Sequence, residues 1–177
     1  MSTAVKEKKA IGVLPYKWLG GKRWALKFVQ PLWNWYREST DDPVYQDLTV
    51  GGGALPLLLG VEDAELSDAS AHLIASWKWL KRSGVTSIDF RNTSDEYYQM
   101  RTEYNRLFKL FGYSYDGSES QRRALGEMFW HLNRSSRSGI WRVNRSDEFN
   151  VPFGDRKKLS EPDLQSIRQA IQGWKFQ

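Results

Sequence analysis

Apolar side chains recur at helical spacing after Gly21, at Trp24, Phe28, Leu32 and Trp35, and predict a helix that starts near Lys22. Pro31 is expected to kink or end it, because proline lacks the N–H that a helix interior needs. Asp41-Asp42-Pro43 then breaks the chain. Val44 to Val50 reads as a short strand, closed by Gly51-Gly52-Gly53 and followed by the apolar run Ala54 to Leu59, which Pro56 interrupts. Ala64 to Leu66 reads as a second short strand, and either Asp68 or Ser70 caps a helix through Leu73, Ile74, Trp77 and Leu80 that Gly84 stops. A doubly wound α/β domain begins in this order.

Beyond Gly84 the pattern turns helical, first from about Ser94 to Phe111 with Tyr97, Tyr98, Tyr104, Leu107 and Leu110, then from about Ser120 to Asn133. Residues Ile140 to Phe153 alternate irregularly around the polar turn Arg145-Ser146-Asp147, which predicts a hairpin. Ser160 can cap a last helix that runs to about Gly173, with Pro162 tolerated in its first turn. The expected organisation is a flexible polar tail at 1–10, an α/β portion at 11–84 and a mainly helical region with a hairpin at 85–177.

Composition narrows the function classes. The 177 residues are 40% hydrophobic and 27% charged, enough for one globular domain with its own core. Most of the 9 Trp, 8 Tyr and 8 Phe are expected in that core, although such rings also stack on unpaired bases. A net charge of +5 favours a polyanionic partner. The absence of cysteine excludes disulfides, thiolate metal sites and cysteine nucleophiles, and two histidines far apart, His72 and His131, make no metal site. No apolar run approaches the ~20 residues that span a bilayer, and the first ten residues lack a signal-peptide core, so a cytoplasmic protein with no membrane partner is expected.

Three segments carry candidate chemistry. In Tyr16-Lys17-Trp18-Leu19-Gly20-Gly21-Lys22 the paired glycines permit close backbone approach to a ligand, or make an ordinary turn before a helix. In Asp47-Leu48-Thr49-Val50-Gly51-Gly52-Gly53-Ala54 a strand runs into a glycine turn at the place where α/β folds bind cofactors. It lacks both the full GxGxxG pattern and the phosphate-loop lysine. Asp68, about 17 residues beyond Gly51, is placed either to bond ribose hydroxyls or to cap a helix. The stretch Leu132 to Arg145 sets Arg134, Arg137, Arg142 and Arg145 among small polar residues, as either a solvated loop or a reader of guanine and phosphate.

Taken in order, these segments resemble the Dam-type, alpha-class adenine-specific DNA methyltransferases. Lys17-Trp18-Leu19-Gly20-Gly21-Lys22 resembles their K-W-x-G-G-K opening, and Val50-Gly51-Gly52-Gly53-Ala54 their F-V-G-G-G-A loop. Leu66-Ser67-Asp68 with Leu73-Ile74 is similar to L-S-D-x-N-x-x-L-I, and Glu96-Tyr97-Tyr98 with Arg101 and Asn105 to E-Y-Y-x-x-R-x-x-F-N. The most specific match is Gly139-Ile140-Trp141-Arg142-Val143-Asn144 followed by Glu148-Phe149-Asn150-Val151-Pro152-Phe153-Gly154, which resembles G-L-x-R-x-N and G-E-F-N-V-P-F-G. Departures are Leu48 for a proline, Ser70 for an asparagine, and Arg137-Ser138 for an aromatic and an asparagine.

The resemblance implies a partial Rossmann-like domain that binds S-adenosyl-L-methionine, with a mainly helical target-recognition insert containing the hairpin. It implies cofactor contacts from Tyr16, Lys17, Trp18, Gly20, Lys22, Gly51, Gly52, Gly53 and Asp68. Double-stranded DNA would be met by Arg134, Arg137, Ser138, Ile140, Arg142, Asn144 and Pro152, with Arg142 at the guanine-reading position. The family's Asp-Pro-Pro-Tyr loop, which receives a flipped adenine, has no counterpart in the sequence. Asp42-Pro43-Val44-Tyr45 lacks the second proline and precedes the cofactor strand. The chain is therefore expected to be either one half of a split methyltransferase, completed by a second polypeptide, or a non-catalytic protein that masks DNA sites.

Overall fold

A computed structural model describes residues 12–83, 86–111, 117–155 and 162–177. The expected tail at 1–10, the helix stop at Gly84 and the cap at Ser160 lie outside them. Three short strands, β1 (Tyr45–Asp47), β2 (Ala64–Leu66) and β3 (Lys175–Phe176), form a parallel sheet in the order β1-β2-β3. Tyr45 faces Ala64 and Asp47 faces Leu66, while Leu66 faces Phe176 on its other side. The first strand is shorter than Val44 to Val50 because Val50 already belongs to the turn, where its N–H donates to Ser67 O and its carbonyl accepts from Gly53 N. The third strand was not foreseen. Two residues carry no periodicity, and they come from far beyond the boundary expected at residue 84.

Each crossover is helical. After a 3₁₀ turn at Lys22–Ala25, α1 (Leu26–Ser39) runs through Pro31, so of the two expectations, a kink or an end, the proline does not end the helix. The missing Pro31 N–H removes one intrahelical bond, and Trp33, packed edge-on against Tyr45 at 5.5 Å, anchors the turn beyond it. The stripe that predicted this helix, Trp24, Phe28, Leu32 and Trp35, faces outward rather than into the core. Leu26, Val29 and Trp33 form the face that packs inward, so both sides of α1 are apolar. The helix α2 (Ala54–Leu58) follows the glycine turn, and α3 (Ala71–Arg82) is capped by Ser70, whose hydroxyl accepts from Leu73 N at 3.3 Å. Leu73, Trp77 and Leu80 are fully buried, as their spacing predicts.

The later helices are α4 (Ser94–Phe111), α5 (Glu119–Ser135) and α6 (Leu164–Ala170). A reciprocal capping box of Ser118 and Gln121 starts α5, and Asp163 caps α6. Helix α5 lies against α3 at Gly126, where an added Cβ would collide with Trp79, and Ser76 Oγ donates to Gly126 O at 3.0 Å. On the sheet side of α3, Trp77 stacks on Phe176 with ring centroids 5.6 Å apart. The expected hairpin consists of two isolated antiparallel bridges, Ser136 with Phe153 and Val143 with Phe149. Among the described residues no helix is long and apolar enough to cross a membrane.

Candidate functional site

The glycine turn after β1 and the segment Leu14 to Lys22 wall a cleft of about 280 Å³. That is near the lower end of small-molecule sites, roughly 300 to 1,000 Å³. Of the residues expected at a cofactor, Tyr16, Trp18, Gly20, Lys22, Gly51, Gly52 and Asp68 line it, joined by Thr49. Lys17 and Gly53 do not. The glycines have a second reason to be there, which spacing alone does not reveal. Gly51 and Gly53 have positive φ, 52° and 70°, and a Cβ on them would lie 2.8 Å from Trp18 Cδ1 and 2.7 Å from Trp77 Cζ2. A Cβ on Gly52 would lie 3.0 Å from the Tyr16 carbonyl oxygen. The turn is thus moulded onto the protein's own aromatic rings as well as onto the cleft.

Polar contacts fix this wall. Gly51 N donates to Asp68 Oδ2 at 3.0 Å, Ser70 N donates to Asp68 Oδ1 at 3.0 Å, and Trp77 Nε1 donates to Gly51 O at 2.9 Å. Asp68 therefore bridges the turn and the start of α3 and leaves the cap itself to Ser70. A carboxylate oxygen accepts more than one hydrogen bond, so Asp68 keeps acceptor capacity toward a hydroxyl in the cleft. Lys22 Nζ lies 2.5 Å from both oxygens of Asp47 and 2.7 Å from Thr49 O, so its charge is balanced at the mouth of the cleft. An aromatic wall, a bridging carboxylate and a paired ammonium suit a ligand with a flat apolar part, hydroxyls and a charged end.

The segment ahead of the cleft is tied to the end of α5. Lys17 N donates to Asn133 Oδ1 and Asn133 Nδ2 donates to Lys17 O, both at 2.8 Å. Lys17 Nζ donates to Arg134 O at 2.9 Å, and the Lys17 side chain covers Gly139, whose added Cβ would lie 2.7 Å from Lys17 Cδ. The structure therefore turns Lys17 toward α5. Arg134 is 1% exposed and donates through Nη1 to the carbonyls of Pro15 (3.3 Å) and Leu14 (3.5 Å). Its placement among the DNA-contacting residues is corrected: the guanidinium is in the interior, holding the strap that carries Tyr16 and Trp18. Asn133, Ser76 and Trp77 were not singled out for such roles. Asn133 lay in plain view before Arg134, but nothing in the sequence says that its amide faces a backbone 116 residues away.

The remaining residues expected at DNA sit on the hairpin and the 3₁₀ turn Arg137–Gly139. Arg137, Ser138, Arg142 and Asn144 are exposed, while Ile140 and Pro152 are half-buried. Arg142 Nε donates to Asn150 Oδ1 at 3.0 Å, which holds the stem while the two terminal nitrogens retain donors for an end-on bidentate contact. Asn144 organises the turn: its Oδ1 accepts from Ser146 N and Glu148 N, both at 2.9 Å, and its Nδ2 donates to Glu148. Helix α4 grips the hairpin from behind. Tyr97 Oη donates to Val151 O (2.9 Å), Arg101 donates to the same carbonyl (3.3 Å), and the Asn105 amide pairs with both the N–H and C=O of Phe149. This is the physical content of the spacing Tyr97, Arg101, Asn105, whereas Glu96 accepts from Arg91 N and Nε ahead of the helix.

The hairpin tip also reaches α3. Asp147, at φ 57°, places Oδ2 3.3 Å from Nε2 of the buried His72, whose Nδ1 lies 2.7 Å from Tyr104 Oη and whose ring stacks on Phe108 at 3.5 Å. Burial lowers the His72 pKa to about 4, and the Asp147 charge, a weaker influence, raises it only part of the way back. The imidazole is therefore neutral at pH 7, and the contact with the partly exposed Asp147 is a weak polar one.

The mixed helix–strand fold with its small parallel sheet is that of an α/β protein, and a cleft outside the carboxyl end of a strand, at a glycine turn, is where such folds take small ligands. A model of the D12 class N6 adenine-specific DNA methyltransferases matches residues 18–177, and the chain belongs to this family. It is 29% identical over 170 residues to a type II methyltransferase of Lactococcus lactis subsp. cremoris, covering 91% of this chain and 55% of that relative. It is 34% identical over 122 residues to a DNA adenine methylase of Serratia marcescens, covering 64% and 41%. To the DNA adenine methylase of Escherichia coli K12 it is 27% identical over 157 residues, covering 84% and 50%. The chain spans about half the length of these curated relatives.

Proposed function

We propose that this chain is the cofactor- and DNA-recognising half of an S-adenosyl-L-methionine-dependent, adenine-specific DNA methyltransferase, and that a second polypeptide supplies the Asp-Pro-Pro-Tyr loop. The observation that carries the proposal is the convergence of Tyr16, Trp18, Gly20 and Lys22 with Gly51, Gly52 and Asp68 on one cleft, from segments about 30 and 46 residues apart. The donor set fits the cofactor: the Trp18 ring offers a flat wall, Asp68 an acceptor for ribose hydroxyls, and the Lys22–Asp47 pair a polar border for the methionine end. When bound, the cofactor supplies the methyl group for the exocyclic amine of a flipped adenine. The residues of this chain hold and orient it, with the Lys17–Asn133 pair and buried Arg134 keeping the Tyr16–Trp18 wall in place.

On the DNA side, Arg142 reads guanine end-on, Arg137 and Ser138 approach phosphate, and Ile140 and Pro152 shape the base of the hairpin beneath them. Asn144 acts by fixing the turn. The test is adenine methylation of duplex DNA by this chain with and without a polypeptide carrying Asp-Pro-Pro-Tyr. Activity is expected only from the mixture, and a mixture without activity refutes the split-enzyme reading. A second reading, a protein that binds and masks DNA sites, is favoured by the exposed Arg137 and Arg142 in the recognition stretch. Salt-dependent duplex binding by this chain, with no methylation in any mixture, is its signature.

A further inference from the structure

The tip of the hairpin carries a side chain where its backbone favours none. The motif that Glu148 to Gly154 resembles opens on glycine, and this chain has Asp147 there, at φ 57°. Left-handed backbone strains any residue with a Cβ, Asn and Asp least. The turn does not use the carboxylate. Asn144 closes it, accepting from Ser146 N and Glu148 N through Oδ1 and from Asp147 N through its carbonyl. Asp147 instead points inward, with Oδ2 3.3 Å from Nε2 of His72. Turned outward, it would add a negative charge to a hairpin surface that otherwise offers the exposed Arg142 and Arg145 to phosphates. The receiving end is built: His72 sits in the first turn of α3, stacked on Phe108 at 3.5 Å, with Tyr104 Oη 2.7 Å from Nδ1. Its Nε2 is buried and has no partner at ordinary hydrogen-bonding geometry, only the Asp147 carboxylate in front of it. Facing a carboxylate, Nε2 carries the proton of the neutral ring, because a lone pair there would repel it, and Tyr104 donates to the bare Nδ1.

The hairpin needs such a hold. Among the described residues its pairing is two isolated bridges, and a two-stranded ribbon is marginal on its own. The hydrogen bonds from α4 reach the return arm, at Phe149 and Val151. Arg142 lies on the outgoing arm, directly after Trp141, whose ring stacks on Phe149 at 4.0 Å and lies 5.6 Å from the rings of both His72 and Tyr104. The start of that arm and the tip at its far end therefore close on the same His72–Tyr104 pair, with Arg142 between them. We infer that Asp147 is a positioning residue for DNA recognition: received by the Nε2–H of His72, its carboxylate fixes the hairpin tip on α3 and so sets the pose from which Arg142 meets a base edge. The inference rests on reading the hairpin as the DNA-contacting element. At 3.3 Å, and with the Asp147 side chain 36% exposed, the contact adds little to stability, and its effect is on direction. An arginine–guanine pair discriminates roughly 5- to 150-fold and needs two aligned N–H bonds, so a tip free to swing forfeits part of that factor.

The test uses the full chain. Nitrogen-15 spectra of its imidazoles, with His131 the only other histidine, are expected to show the His72 proton on Nε2. A proton on Nδ1 leaves nothing to receive the carboxylate and overturns the inference. Sequence preference is read by binding the chain to a pool of duplexes with randomised centres and sequencing the bound fraction. Asp147→Gly, which relieves the backbone at φ 57°, is expected to lower the preference for guanine about 3- to 10-fold while the urea midpoint holds. Asp147→Asn keeps an acceptor and tolerates the same φ, so it is expected to restore the preference. A preference that survives Asp147→Gly but not Arg142→Ala overturns the latch and leaves the DNA-contacting reading standing. One untouched by Arg142→Ala removes that reading and the inference with it. If Asp147→Asn is as poor as Asp147→Gly, or the urea midpoint falls along with the preference, the carboxylate is not acting as an acceptor that positions the tip, and the inference is overturned.

Discussion

Replacing Gly53 with alanine tests whether the glycine turn is moulded on Trp77. Gly53 has φ +70° and an added Cβ would meet the Trp77 ring at 2.7 and 2.8 Å, whereas Gly60 has φ +66° with no atom within 4 Å. Gly60→Ala therefore isolates the left-handed backbone term, about 1 to 2 kcal/mol. Gly53→Ala carries the same term plus overpacking of about 1 to 3 kcal/mol, in all about 2 to 5 kcal/mol. Trp77 has nowhere to go: it is fully buried, its Nε1 is bonded to Gly51 O, and its ring meets Tyr16 edge-on at 4.8 Å. With a urea slope of about 1 to 3 kcal/mol per M, the Gly53 variant should unfold roughly 1 M earlier than the Gly60 variant. Both midpoints are read from tryptophan fluorescence and circular dichroism. If the two variants lose stability equally within about 0.5 kcal/mol, Trp77 does not bear on the turn and the packing argument is wrong.

Stability should fall in mild acid. The pKa values of His72 and His131 are lowered by burial to about 4, below the ordinary 6.5, so the unfolded chain takes up protons first as pH drops. Their contribution is intact above pH 6.5 and is lost as pH falls toward 4, about 2 kcal/mol per histidine between pH 7 and 5, read from urea midpoints at the two values. A midpoint flat over that range contradicts the burial of both rings. The two arginines once grouped together should separate cleanly. Arg134→Met should destabilise the chain by about 2 to 4 kcal/mol by stranding the Leu14 and Pro15 carbonyls. Arg142→Ala should leave the urea midpoint unchanged and remove about 1 to 3 kcal/mol of discrimination between target and off-target duplexes. The reverse pattern in melting and binding experiments contradicts the placement of both residues.

Helix α3 was legible because it has a cap and a stripe, Ser70 with Leu73, Trp77 and Leu80, and α4 because of its stripe of Tyr97, Tyr104 and Leu107. Helix α1 shows the limit of that logic. Its strongest stripe is genuine, but periodicity gives only the angle between side chains and cannot say which of two apolar faces the rest of the chain covers. Strand β3 was invisible for a different reason, since its identity comes from pairing with Leu66 and from Trp174 beneath it rather than from two residues of pattern. The cleft was legible as a set of segments, because glycine turns and a following acid have recognisable spacing. What spacing could not separate were two arginines eight residues apart, one buried under the Leu14–Pro15 strap and one exposed on a hairpin. Both are cations in a polar stretch, and only the packing of α5 decides between interior and surface.

The central claim is that the cleft between Tyr16–Lys22 and the glycine turn binds S-adenosyl-L-methionine, and calorimetric titration of that compound into the isolated chain tests it most directly. Saturable one-to-one binding is predicted, weakened about 10- to 100-fold by Asp68→Asn, which removes the charged acceptor for the ribose hydroxyls, and weakened also by Trp18→Ala. Absence of binding at millimolar cofactor by a chain whose fold is intact, or binding untouched by both substitutions, contradicts it.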